Sequence, residues 1–293
     1  MEKQVDEQKY HSVIDPLVTV VIPTYNEEKS IEDCVRSLRN QTIPLEIIVV
    51  DDGSKDQTVA ICEAIGVKAL RQSHKGPGTA RNLGAKNAKG NILVFVDADM
   101  LFAADYISKL IEPIISGETI ATCHWNEMVT NWHNPWARCQ TWYFGHPDKR
   151  RTPYAVHPPG NVYRAVRKVF FLDSGGFAEN EGRGDDGSVA RRTGVKAKRV
   201  TDAICYHRNA EGPGDIYSDA VWRGRHKAVH ENGGFRRCVS IVLIHGNPVR
   251  GILRGLLLAV DKKEPRMVLY SIIYNLGYTL GVLRALYSGY YLK

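Results

Sequence analysis

The sequence predicts an α/β fold: a mainly parallel central sheet flanked by helices, followed by a C-terminal helical appendage. Three observations carry this. Short β-branched runs alternate with helix-like stretches between residues 18 and 97, the spacing of βαβ units. The runs ending at Ile22, Val50 and Val96 each give way to a loop, and right-handed crossovers open all three loops on one sheet edge. Beyond residue 210 the strand signal stops and a helical pattern replaces it.

Residues 1–15 read as a polar tail without the apolar segment of a signal peptide. Val18-Thr-Val-Val-Ile22 is a strand ended by Pro23, and the loop after it holds Tyr25 and Glu27. Ser30 is placed as the cap of a helix running to Arg39, with Asp33 three residues on in a capping-box arrangement and Ile31, Val35 and Leu38 on one face. Residues 45–50 form a second strand, closed by Asp51-Asp52-Gly53-Ser54. A helix over 58–65 and a short strand over 67–70 follow, and Gly76-Pro-Gly-Thr-Ala-Arg-Asn82 opens a further helix that ends at Gly90. Ile92-Leu-Val-Phe-Val96 is a continuous apolar run, short and branched enough to be a buried strand.

That strand is tipped by Asp97-Ala-Asp99. Two hard oxygen donors then lie at the carboxyl edge of the sheet, where open α/β sheets bind ligands. Such a pair can hold Mg²⁺ or Mn²⁺, which in turn grips a diphosphate. Aspartate is also a good helix cap, so the motif gains meaning from its surroundings: Tyr25, Glu27, Asp52, Asp97 and Asp99 converge although far apart in the chain. The glycine pattern of a dinucleotide-binding fold is missing after the first strand, and no Gly-Lys-Ser/Thr follows a strand.

Composition is that of an ordinary globular protein of 293 residues, 43% hydrophobic and 24% charged. The six cysteines have no short paired spacing, which argues against a zinc site or a disulfide scaffold and fits a reducing compartment. Nine of the Lys/Arg and only two of the Asp/Glu fall after residue 235, so the whole net charge of +7 sits in the last fifth of the chain. A neutral body with a basic, apolar tail points to an anionic surface touched by the tail, and away from nucleic acid.

Taken together, Val-Val-Ile-Pro-Thr-Tyr-Asn-Glu (20–27), Ile-Val-Val-Asp-Asp-Gly-Ser-Lys-Asp (48–56), Gly-Pro-Gly-Thr-Ala-Arg-Asn (76–82), Phe-Val-Asp-Ala-Asp (95–99), Gly-Gly-Phe (175–177) and Gly-Asp-Asp (184–186) resemble glycosyltransferase family 2, inverting enzymes of the GT-A fold, in family order over residues 17–210. The resemblance implies a GT-A nucleotide-diphospho-sugar transferase domain over 16–210, with a donor half to about 100 and an acceptor half beyond it. Pro23, Tyr25 and Glu27 would border the nucleobase and ribose, and Asp52 would hydrogen-bond the base. Arg81 would approach the base or diphosphate, Asp97 the ribose or metal, and Asp99 would ligate Mn²⁺ or Mg²⁺, with His207 completing the metal shell. Asp186 falls on the catalytic base, and Asp185 stands on the acceptor side where the family usually has glutamate. Gly187 and Ser188 replace a further acidic position, a departure from the pattern. Two short strands, 196–200 and 203–206, would lead to His207.

The donor would be a nucleotide-sugar, with Tyr25 and Asp52 suiting uracil, and the acceptor a glycan or a lipid-linked group. Between 122 and 157 the aromatics Trp125, Trp132, Trp136, Trp142, Tyr143 and Tyr154 suit either acceptor stacking or a core. In the region 211–293, Asn247-Pro248 begins a helix with Arg250 and Arg254 on one face and Ile252, Leu253, Leu256 and Leu257 largely opposite, a basic amphipathic helix suited to a membrane interface. Residues 267–283 carry no charge but are shorter than a confident span; Tyr287, Tyr290 and Tyr291 suit the headgroup level. The expectation is a cytoplasmic protein, peripheral on the inner face of the membrane, that transfers one sugar per encounter; oligomerisation is open. Two alternatives are a nucleotide-sugar-binding protein without catalysis and a sugar-phosphate nucleotidyltransferase.

Overall fold

The computed structural model describes residues 18–153, 160–179, 186–230 and 235–287. The chain divides into two compact units: residues 1–128 with 154–207, and residues 129–153 with 208–293.

The first unit begins with β1 (Val18–Thr24), α1 (Ile31–Arg39), β2 (Leu45–Asp51), α2 (Thr58–Ala64), β3 (Lys68–Arg71), α3 (Pro77–Asn87) and β4 (Ile92–Phe95). It continues through β5 (Met100–Phe102), α4 (Tyr106–Ile115) and β6 (Ala121–Val129), then β7 (Ala165–Arg167), α6 (Lys168–Asp173), α7 (Ser188–Thr193) and β8 (Lys198–His207). The strands form one sheet in the order β3-β2-β1-β4-β7-β6-β8-β5. Pairing is parallel through β3-β2-β1-β4. It turns antiparallel at β4–β7, β7–β6 and β5–β8, so the sheet is mixed beyond the first four strands.

Alternation along the parallel strands builds two cores. Val18, Val20 and Ile22 of β1 and Val94 of β4 face one side, where Val35 and Leu38 of α1 and Leu110 of α4 cover them. Val21, Leu93 and Phe95 face the other, against Ala80 of α3, Phe170 and Phe171 of α6 and Val189 of α7. Strands apolar on both faces are what a helix-covered parallel sheet requires. Truncating a side chain such as Leu93, fully buried, costs about 2–5 kcal/mol.

Several local expectations change. The first strand runs through Pro23 to Thr24 and pairs Pro23 with Val50 of β2. Asp52 N–H donates to the Thr24 carbonyl, so Thr24 faces β2 and Pro23, one residue back, turns its ring nitrogen to the β4 side. There the β1–β4 register ends at Val21–Phe95, and no ladder bond is lost. Ser30 does precede α1, but the capping box does not form: its hydroxyl donates to Glu27 Oε2 at 2.7 Å. The two short strands placed before His207 are the single strand β8, whose exposed Thr201 and Asp202 hid its continuity.

The second unit contains α5 (Pro135–Tyr143), α8 (Pro213–His230), α9 (Phe235–His245), α10 (Pro248–Asp261) and α11 (Arg266–Tyr287). Asn134 and Asn247 cap α5 and α10 through their side-chain oxygens, Asn247 Oδ1 accepting from Val249 N–H at 3.0 Å, a contact worth about 1 kcal/mol. The stretch 267–283 lies within α11, whose buried Met267, Tyr270, Tyr274, Tyr278 and Val282 form the core of this unit with Tyr143 of α5 and Ile216 and Ala220 of α8. Glycines let these helices approach closely: a Cβ on Gly224 would meet the Tyr278 carbonyl oxygen, and one on Gly281 the Val221 carbonyl oxygen, each at 2.0 Å. Residues 129–153, expected in the catalytic domain, therefore join the C-terminal helices, and Trp136, Trp142 and Tyr143 pack there. The segment Cys238–Asp261 is long and apolar enough to cross a membrane by length and composition.

Candidate active site at the carboxyl edge of the sheet

The loops after β1 and β2 are tied together before any ligand is considered. Asn26, at φ 58°, takes the left-handed conformation that asparagine tolerates. Its N–H donates to Ser54 Oγ and its side-chain oxygen accepts from Lys55 N–H. Glu27 N–H donates to Thr58 Oγ1 at 2.8 Å, and Glu27 also holds Ser30. This leaves Tyr25 at the loop crest, 40% exposed, its ring 4.3 Å from that of His74.

Asp52 is buried beneath them. One carboxylate oxygen accepts from Gln72 Nε2 and Lys75 N–H, and the other from Gly76 N–H at 2.9 Å. His74 Nδ1 lies 2.9 Å from Oδ2. The side chain that the sequence assigns to the nucleobase thus also shapes the loop between β3 and α3, and His74 was not foreseen.

The next layer is a chain of charges. Asp97 follows β4, and its Oδ1 accepts from Arg81 Nη2 at 2.9 Å while Oδ2 lies 3.1 Å from Arg164 Nη2. Burial pushes the Asp97 carboxyl up, but the guanidiniums of Arg164 and Arg81 outweigh it and hold it well below the usual carboxylate range. Arg81 Nη1 reaches Asp186 Oδ1 at 2.7 Å. So Arg81, from α3, bridges Asp97 to Asp186, which stands just ahead of α7. The sequence places Arg81 against base or diphosphate and Asp97 against ribose or metal; in the structure both are engaged with each other. Arg164 gave no signal in sequence, because a lone arginine ahead of a three-residue strand has no motif around it.

α3 is fixed beside this chain by two contacts. Asn82 exchanges a pair of 2.9 Å hydrogen bonds with the Phe177 backbone. The close approach at Gly176, where a Cβ would lie 2.5 Å from Asn82 Oδ1, permits it. The 76–82 and 175–177 stretches are thus two sides of one contact.

Asp99 lies two residues past Asp97, and His207 ends β8. His207 Nε2 is 2.7 Å from Asp99 Oδ2, and Nδ1 is 2.9 Å from Glu127 Oε1. The β5–β8 register, which pairs Met100 with His207, sets this approach. Glu127, near the end of β6, was not foreseen. Among the described residues no three His, Cys, Asp or Glu side chains close a cation cage. Asp99 and His207 still offer a carboxylate and an imidazole within contact of one another, a donor pair that fits Mn²⁺ or Mg²⁺ where a substrate diphosphate supplies further ligands.

Pro23, Tyr25, Glu27, Asp52, Arg81, Asp97, Asp99, Asp186 and His207 all belong to the first unit. Arg81 joins Asp97 to Asp186 directly, and Asp97 is two residues from the Asp99–His207 pair. Asp185 lies outside the described residues, as does Tyr154. Trp125 is buried in this unit, with the Arg199 guanidinium 4.4 Å over its ring.

The profile of glycosyl transferase family 2 matches residues 19–172. Among relatives, the glycosyltransferase GlyA of Streptococcus pneumoniae is 35% identical over 109 residues, 35% of this chain and 16% of that protein. The dolichol-phosphate mannosyltransferase of Pyrococcus furiosus is 39% identical over 111 residues, 36% of this chain and 32% of that protein. The matched stretch therefore spans well under two thirds of these relatives' own lengths. Residues 1–349 of Staphylococcus aureus TarS superpose with a TM-score of 0.55 at 20% identity, over 94% of this chain and 91% of that one. The mannosyltransferase PcManGT of Pyrobaculum calidifontis, solved with GDP-Man and Mn²⁺, gives 0.54 at 19% identity, over 90% and 87%. These likenesses show the GT-A fold, with its open, curled mixed sheet and flanking helices. With the profile covering more than half of its residues, this chain belongs to glycosyl transferase family 2.

Proposed function

We propose that the protein is an inverting glycosyltransferase that moves one sugar from a nucleotide-diphosphate sugar to an acceptor hydroxyl or phosphate on a glycan or lipid. The observation that carries this reading is the linked set Asp99–His207 and Asp97–Arg81–Asp186 at one edge of the sheet. It sets a carboxylate–imidazole pair suited to a divalent cation near a second carboxylate, Asp186, that is held by Arg81. Related chains bearing UDP, UDP-GlcNAc or GDP-Man support a nucleotide-sugar donor, and the Tyr25–His74 platform suits a flat base.

Each residue's part follows from its place. Tyr25 stacks on the base, with Pro23 and Glu27 bordering it, and Asp52 keeps the underlying loop in shape. Asp99 and His207 would hold the Mn²⁺ or Mg²⁺, which when bound offsets the charge that develops on the leaving diphosphate. Asp186 takes the acceptor proton as the acceptor oxygen bonds to the anomeric carbon from the face opposite the departing diphosphate. The bond from that carbon to the diphosphate oxygen breaks, and configuration inverts. Arg81 holds Asp186 in position; Asp185, outside the described residues, has the acceptor side from the resemblance alone.

The second unit supplies a membrane contact. Leu253, Leu257 and Val260 of α10 are exposed, and the net positive charge of the chain is concentrated in the same region. The protein would then work at the cytoplasmic face of a membrane.

Incubating the chain with radiolabelled nucleotide-sugars, Mn²⁺ and a panel of glycan and polyprenyl-phosphate acceptors tests the transferase reading. Release of nucleoside diphosphate by the wild type, lost in Asp186→Asn, is expected. Pyrophosphate release from a sugar phosphate and a nucleoside triphosphate would instead mark a nucleotidyltransferase, and donor binding without turnover a non-catalytic binder.

A further inference from the structure

The second unit holds a cation-lined cavity that contains none of the residues assigned above to sugar transfer. It encloses about 480 Å³, within the range of small-ligand pockets. Trp222, Arg223 and Lys227 of α8 form one wall and Arg254 of α10 another, over an aromatic floor that includes Tyr143 and Tyr274. A smaller cavity of about 170 Å³ shares Tyr143, Ile244 and Arg254 with it and adds Arg250 and Asn247. No carboxylate lines either cavity among the described residues.

The arginines are arranged to receive charge. Arg254 lies 4.9 Å over the Tyr143 ring, and among the described residues neither Arg250 nor Arg254 has a carboxylate within ion-pair distance. Arg223, by contrast, is paired with Asp219 at 2.7 Å. Helix α10 is held in this orientation by its glycines, since a Cβ on Gly251 or Gly255 would strike the side chain of Asn275 or Ser271 of α11. Arg250 and Arg254 are themselves exposed, so α10 shows charge and apolar surface side by side. Arg254 borders the cavity, while Leu257 and Val260 are 74% and 81% exposed. Ile244, 59% exposed, lines both cavities and also belongs to the apolar surface. A soluble anion needs no apolar rim, and an acyl chain needs no arginines; a molecule carrying both fits both.

We propose that these neighbouring cavities take the phosphate group of an anionic lipid, with Leu253, Leu257 and Val260 entering the acyl boundary beside it. The inference rests on the membrane contact proposed above and adds to it a headgroup site. Guanidiniums suit it because they present paired donors to phosphate oxygens. Local charge complementarity agrees, since the whole net charge of the chain lies in its last fifth.

Vesicle flotation of the full chain tests it, comparing phosphatidylcholine alone with phosphatidylcholine carrying about 10 mol% phosphatidic acid. The wild type is expected to bind the phosphatidic acid vesicles at least about tenfold more tightly. The double variant Arg250→Ala/Arg254→Ala should lose that preference, whereas Lys262→Ala/Lys263→Ala, which removes equal charge outside the cavities, should keep most of it. Leu257→Glu/Val260→Glu should weaken binding to both vesicle types. Equal losses in the two charge variants would overturn the headgroup site while leaving the membrane contact standing. Failure of the wild type to float with any vesicle would remove the membrane contact itself. Thermal stabilisation by inorganic phosphate, without vesicle binding, would assign the cavities to a soluble anion and overturn the lipid.

Discussion

Arg81 Nη1 lies 2.7 Å from Asp186 Oδ1. The same guanidinium donates to Asp97 from Nη2, so one buried side chain of α3 fixes the proposed base relative to the acidic tip of β4. Arg81→Gln leaves two carboxylates without their common partner; because Asp97 and Asp186 are 34% and 26% exposed, solvent screening brings the cost below the about 3–5 kcal/mol of a fully buried pair. Arg81→Lys retains the charge but lacks the fork that reaches both acids. The expected result is a lower melting temperature in both variants, larger for Gln, and in Lys a turnover loss of about a hundredfold or more. Melting curves and initial rates measured on the same preparations check both.

Acid should weaken the fold earlier than carboxylate titration alone requires. His124 on β6 is buried; burial, then the Arg164 charge, lower its pKa to about 3, and its Nδ1 meets the Tyr106 hydroxyl at 2.8 Å. The unfolded chain binds this proton near pH 6.5. Between pH 6.5 and 3 the unfolded state therefore holds more protons, and stability falls as pH falls across that window. Asp97 acts in the same direction at lower pH: its depressed pKa gives stability that is present above the ordinary aspartate value and lost as the carboxyl protonates. Denaturant melts from pH 7 to 4 should show a smaller loss for His124→Asn than for the wild type.

The close helix crossing of the second unit predicts a steric effect with its own control. Gly281→Ala places a Cβ 2.0 Å from the backbone oxygen of Val221, which only a shift of α11 against α8 can relieve. Overpacking of this kind costs about 1–3 kcal/mol. At Gly212 a Cβ meets nothing within 4 Å, so Gly212→Ala should leave the melting temperature nearly unchanged. Thermal melts of the pair distinguish tight packing from a general sensitivity to glycine replacement.

Where the sequence carried a run of buried β-branched residues, it could be read. β1, β2 and β4 are such runs, and their register puts Tyr25, Asp52 and Asp97 on one edge, as expected from right-handed crossovers. The antiparallel half was harder. β5 and β7 have three residues each, too few for a period. The aromatics of 129–153 looked the same whether they faced an acceptor or filled a core; in the structure Tyr143 belongs to the helical core. Arg164, Glu127 and His74 escaped notice for one physical reason: each acts through a partner distant in the chain. The net charge after residue 235 was plain in composition, but the placement of Arg254 at the rim of a cavity depends on Gly251 and Gly255 meeting α11.

In the proposed reaction Asp99 and His207 would hold a divalent cation that helps bind a nucleoside diphosphate at the sheet edge. Calorimetric titration of UDP into the wild type and Asp99→Asn, each with and without Mn²⁺, addresses it without needing the acceptor. The account predicts that Mn²⁺ tightens UDP binding at least about tenfold in the wild type and changes little in Asp99→Asn, which still folds. Equal dependence on Mn²⁺ in the two proteins, or wild-type UDP binding indifferent to the metal, would contradict it.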